Sequence, residues 1–175
     1  MTWPCLLDTF YMMLHFEFLT GYRSQNLKEK IKNDVPTLLA YGTLKQLIDT
    51  NEITTEKEQY ISAIKLIFKY LNEEFSNLFL TIPPNTDLSE VLLSENHPTI
   101  LMIESVTEND ADAGVTESEC QYSLFMESKL VDKFDSFLDA VVVLHASYYM
   151  FNYLWPQKVP CFFGIFTNEV HQYIS

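Results

Sequence analysis

The segment from Phe137 to Trp155, FLDAVVVLHASYYMFNYLW, constrains this chain more than any other stretch. It approaches the roughly 20 apolar residues that cross a bilayer, so it must either enter a membrane or be buried in protein. Its polar residues decide between the two. Asp139, His145 and Asn152 interrupt it. A buried core helix near 135–152 is expected. On that helix Leu138, Val141, His145, Tyr148 and Asn152 form one line, and Phe137, Ala140, Leu144, Phe151 and Trp155 form another. Both lines are apolar enough to demand burial, which makes this the central helix. Asp132, Asp135 and Asp139 fall in or just before its first turns, where the helix dipole favours negative charge. Asn152 tolerates the left-handed conformation that ends helices, and Pro156 cannot easily continue the same helix. The run SYYMFNYLWP therefore reads as a helix stop and an aromatic corner, with a restart through Phe162, Phe163 and Phe166. The alternative is an aromatic ligand box, although contiguous rings on a helix point all round and only some could line one pocket.

The rest of the chain supplies helices for that one to pack against. Asp8 to Thr20 reads as a helix with Leu7, Phe10, Tyr11, Leu14 and Phe18 sharing one side, stopped at Thr20-Gly21. Asn26 to Asn33 suits a second, with Leu27 and Ile31 as its apolar pair, and Pro36 opens a third through Leu38, Leu39 and Tyr41. From Thr54 to Phe75 the periodicity is clearest, with Tyr60, Ile64, Ile67, Leu71 and Phe75 recurring at steps of three and four. Thr55 stands three residues before Glu58, the spacing of a capping box. Three short apolar runs, in NLFLTIPPN, PTILMIES and CQYSLFMES, suit strands. Between the last two, residues 105–119 hold many carboxylates and almost no large apolar side chains, the composition of a mobile acidic loop. The expected fold is α+β and α-rich: helices on a small sheet of about three short strands, in a single domain spanning 1–175. No internal repeat or linker argues for two domains.

Charge and cysteines narrow the function classes. Lys+Arg number 11 against 24 Asp+Glu, a net charge of −13, so a phosphate backbone meets net repulsion and direct nucleic-acid binding is not expected. The most basic run, Lys28 to Lys32, contains Glu29 and reads as a solvated helix face. Cys5, Cys120 and Cys161 are odd in number and far apart, which points to neither a disulfide framework nor zinc and favours an intracellular setting. The apolar N-terminus has no positive n-region and is broken by Asp8, His15 and Glu17, so it is not read as a signal peptide.

Catalytic and cofactor motifs are not expected either. The acidic loop fails as a calcium loop: placing Gly114 at the required sixth position puts Ala111, Ala113 and Cys120 where oxygen ligands belong. His15, His97, His145 and His171 have no spacing that would put two imidazoles on one helix face. Four glycines, none in a phosphate-cradling pattern, exclude a standard nucleotide loop. Cys161 and Ser147 lie in no nucleophile motif. His145, within VVVLHASYY, is the most plausible reactive group, but a core histidine is the simpler reading.

One resemblance adds to this. Ser147, Tyr148, Tyr149, Phe151, Asn152 and Pro156 resemble the pattern SYYxFNxxYP near the C-terminus of uncharacterised proteins similar to sterile alpha motif domain-containing protein 3, with Trp155 replacing a tyrosine. Trp3-Pro4, Leu6, Phe16 to Phe18, Thr20-Gly21, Leu27 and Pro36 resemble the same family's WPxL, Phe-rich helix and TGxxL. The family's sterile alpha motif is absent, and the final VPCFFGIFTNEVHQYIS diverges from its usual helix, the pattern expected of a truncated or partial gene product. The resemblance implies no catalytic residues. It implies a non-enzymatic, intracellular protein-interaction or scaffold domain, with a protein partner, no cofactor and no membrane. The alternatives are a small hydrolase or transferase with a site around His145, Tyr148 and Tyr149, or a domesticated mobile-element or host-defence protein.

Overall fold

The computed structural model describes residues 8–49, 53–83, 86, 91, 97–103, 121–153, 161, 162 and 164. Among these residues four helices, α1 (Thr9–Thr20), α2 (Ser24–Leu44), α3 (Glu56–Leu71) and α4 (Phe137–Met150), accompany strands β1 (Phe79–Ile82), β2 (Thr99–Ile103), β3 (Gln121–Met126) and β4 (Lys129–Phe134). The sheet order is β1-β2-β3-β4, parallel between the first pair and antiparallel after it. The architecture is α+β, as expected, but with a fourth strand.

α4 occupies the centre. Residues Phe137 through Tyr148 are almost all buried, because the sheet packs on one side while α1, α2 and α3 pack on the others. Ser136 caps its first turn by accepting the Asp139 N–H, and Asp139 pairs with Lys28 of α2. At the other end Asn152 adopts φ 51°, and the Tyr153 N–H donates to the Tyr148 carbonyl at 3.1 Å, closing the left-handed stop expected there. Phe162 returns to the core against Phe68, with ring centroids 4.3 Å apart. The Glu73 carboxylate accepts the Cys161 and Phe162 N–H groups at 2.6 and 3.1 Å, tying this return to the end of α3. Trp155, Pro156, Phe163 and Phe166 lie outside the described residues, as do Trp3, Pro4 and the acidic loop 105–119.

Four expectations need correction. The central helix spans Phe137–Met150, shorter than 135–152, because Asp132 belongs to β4, and the third strand is followed by a hairpin through Glu127 and Ser128 at φ 51° and 60°. Two consecutive left-handed residues form the two-residue turn that matches strand twist, a position favouring Asn-Gly. Glu-Ser hides it from sequence reading. Second, Asn26–Asn33 and the segment opened by Pro36 are one helix, α2. Lys32 and Pro36 are both exposed, so the carbonyl that loses its donor to proline lies on the wet face. Meanwhile Leu27, Ile31 and Val35 hold a continuous buried edge.

Third, the capping box at Thr55 and Glu58 is formed, but α3 ends at Leu71, where Asn72 adopts φ 55°, and Phe75 sits in a short 3₁₀ turn stacked on Phe79. Fourth, α1 buries Met12, Phe16 and Thr20 and turns the Phe10, Tyr11, Leu14 and Phe18 side outward. α1 is apolar nearly all round, so local periodicity cannot select its inner face.

Candidate interaction surface

The described signature residues build the corners and packing at the ends of α1 and α4. Thr20 is buried, donates to the Phe16 carbonyl at 2.7 Å and accepts the Tyr22 N–H at 3.1 Å, while Gly21 at φ 67° donates to the Glu17 carbonyl. Together they turn the chain from α1 into α2. Ser147 donates to the Leu144 carbonyl within α4 at 2.7 Å. Tyr148 reaches across to the sheet, its hydroxyl donating to the Pro98 carbonyl at the entry to β2 at 3.1 Å. Tyr149 packs edge-on against Phe16 of α1, and Phe151 and Asn152 form the corner after α4.

His145 and Tyr148 are each 1% exposed, so no substrate reaches them as they stand. The His145 ring meets Phe16 edge-on at 5.9 Å, and burial pushes its pKa down to about 4. Burial also raises the Tyr148 phenol, with Tyr153 adding to the shift. A neutral imidazole and a neutral phenol in a filled core are the state that packing prefers. His145, Tyr148 and Tyr149 thus share α4 but do not open into a reactive cleft; the core histidine reading holds. Among the described residues no group of three or more His, Cys, Asp or Glu could hold a metal ion, and no helix is long and apolar enough to cross a membrane.

A concave surface lies between α2 and α3. α2 and α3 meet tightly at Gly42, where a Cβ would stand 2.7 Å from Leu66 Cδ2. Away from that contact a groove of about 580 Å³ separates them, floored by Ile31, Ala63 and Ile64 and walled by Leu38, Ile67 and Leu71. Lys30 and Asp34, an ion pair at 3.6 Å, mark its rim, and Tyr41 and Tyr70 meet edge to face at 6.1 Å beside it. This explains why the clearest stripe of the sequence is only half covered: Ile67 and Leu71 are half-buried at the groove wall, whereas Ile64 and Phe68 are fully buried.

Charge is distributed unevenly around it. Between Arg23 and Glu74 eight basic residues balance eight acidic ones, so the whole net charge of −13 resides on the rest of the chain. The apolar residues of this groove are legible in the sequence as stripes on helices, whereas no spacing along the chain encodes the gap between them. These features define an α+β protein with a groove between two of its helices. No family model, no curated protein and no solved structure matches the chain.

Proposed function

We propose that this protein is a non-enzymatic protein-interaction or scaffold domain, and that the α2–α3 groove receives one amphipathic helix of a partner protein. The apolar lining of the groove carries the proposal. From Lys30 to Tyr41 it runs along three turns of α2, about 17 Å at helical rise, the length of a short helix docking by residues three and four apart. The balanced charge of the stretch from Arg23 to Glu74 spares a partner with an acidic flank the local repulsion that the acidic remainder of the chain would impose. An intracellular setting and kinship with proteins similar to sterile alpha motif domain-containing protein 3 are part of the same reading. Its support is the three scattered cysteines and the residues from Ser147 to Asn152. The hydrolase or transferase alternative gains nothing from His145 and Tyr148 packed in the core.

The test combines identification with mapping. A protein co-purifying with the tagged wild type but not with Ile67→Asp is identified, and its helical segment is synthesised and titrated into the labelled domain. Chemical-shift changes confined to groove residues of α2 and α3, lost in Ile67→Asp, are expected. Changes centred elsewhere, or peptide binding unaffected by Ile67→Asp, would overturn the proposal.

A further inference from the structure

The outward face of α1 is a second apolar surface among the described residues. Phe10 is 70% exposed, Tyr11 53%, Leu14 56%, Phe18 82% and Leu19 51%, with His15 exposed between them and stacked on Phe18. At the size of such side chains this leaves on the order of 600 Å² of largely apolar surface on one face, at the top of the range for the largest patch of an ordinary monomer and approaching one side of a standard interface.

From these observations we infer that α1 pairs antiparallel with α1 of a second copy of this chain, about a two-fold axis at Leu14. The stripe is self-complementary when reversed. Phe10 and Phe18 lie four residues on either side of Leu14, so the axis sets Leu14 on Leu14 and each Phe10 against the other chain's Phe18. An isologous contact of this kind closes on itself, which a single patch on each protomer requires.

Electrostatics permits the contact despite the charge of the chain. The acid inside α1, Glu17, is folded back onto the Ser24 N–H and hydroxyl, away from the stripe, and Asp8 is held at the N-terminus as its cap. Antiparallel pairing sets each helix's positive end beside the other's negative end. The same net charge of −13 disfavours the competing occupant of such a stripe, an anionic lipid surface. The inference concerns a face separate from the α2–α3 groove, so either can fail without the other.

The experiment is sedimentation equilibrium of the full chain over a concentration series to about 100 µM, a range in which ordinary dimers of this interface size form. A mass of twice 20.4 kDa is expected for the wild type and for the groove variant Ile67→Asp. Leu14→Glu and Leu14→Lys each place like charges across the axis and should weaken the dimer on the order of 100-fold or more. Because Leu14 is half exposed, both variants should keep the wild-type circular dichroism spectrum. Mixing the two variants should restore a dimer of opposite charges, which only self-contact at position 14 produces. A monomeric wild type overturns the inference. So does a species that grows past the dimer with concentration, the mark of α1 seating in the groove of the next copy. So would dimers of Leu14→Glu as tight as those of the wild type, or a monomeric wild type sedimenting with neutral or anionic phospholipid vesicles.

Discussion

Burial of His145 makes stability depend on pH in a window that few other groups share. Its pKa is pushed down to about 4 in the folded chain, against about 6.5 when unfolded. The sign follows from proton binding. Below pH 6.5 the unfolded chain takes up a proton that the folded chain refuses, so stability is fully present above pH 6.5 and is lost as pH falls toward 4. Between pH 7.5 and 5 the loss amounts to about 2 kcal/mol, obtained by comparing proton occupancy of the two states at each pH. Measurement should stop near pH 5, because the isoelectric point of about 4.5 brings poor solubility. Urea denaturation followed by circular dichroism would record a midpoint about 1 M lower at pH 5 than at pH 7.5, taking a slope near 2 kcal/mol per molar. His145→Gln removes the titrating ring and should flatten the dependence across this window, whatever it does to stability at pH 7.5. A wild-type midpoint constant from pH 7.5 to 5 would refute the burial argument. An unchanged slope in His145→Gln would assign the dependence to another group.

Other consequences follow from local structure. Replacing Glu127-Ser128 by Asn-Gly places residues suited to positive φ in the hairpin turn and should raise stability by about 1 kcal/mol, read from the urea midpoint. Thr55→Ala removes the side-chain acceptor of the α3 capping box and should cost about 1 kcal/mol, visible in thermal unfolding. Hydrogen bonds from the backbone of Thr55 and Thr54, and from the Thr54 hydroxyl, lower the Glu58 pKa from 4.5 to about 2. Its contribution is present above pH 4.5 and lost as pH falls through 2, so Glu58→Gln should be less acid-sensitive than wild type in that range. Phe68→Ala, which empties a site 1% exposed between Phe75, Phe79 and Phe162, should cost about 3 to 5 kcal/mol in denaturant unfolding; a smaller loss would mean that the cluster closes over the gap.

Several features of the fold are specified by local chemistry and are legible in the amino-acid order alone. These are a central helix apolar on all sides, its stop at Asn152, the turn at Gly21, the box from Thr55 to Glu58, and three apolar strands in an α+β chain. Each depends on residues within a few positions of one another. Tertiary structure decided what those rules leave equivalent. α1 carries apolar residues around its circumference, so packing on α4 chose Met12 and Phe16 as the inner side and left Phe10, Leu14 and Phe18 outside. α2 passes through Pro36 because the buried line of Leu27, Ile31 and Val35 outweighs a lost hydrogen bond on the wet face. β4, with its exposed Leu130 and lysines, exists by pairing with β3 rather than by its own pattern. The groove is likewise a distance between two helices, set by their close approach at Gly42 and Leu66, and no spacing within either helix encodes it.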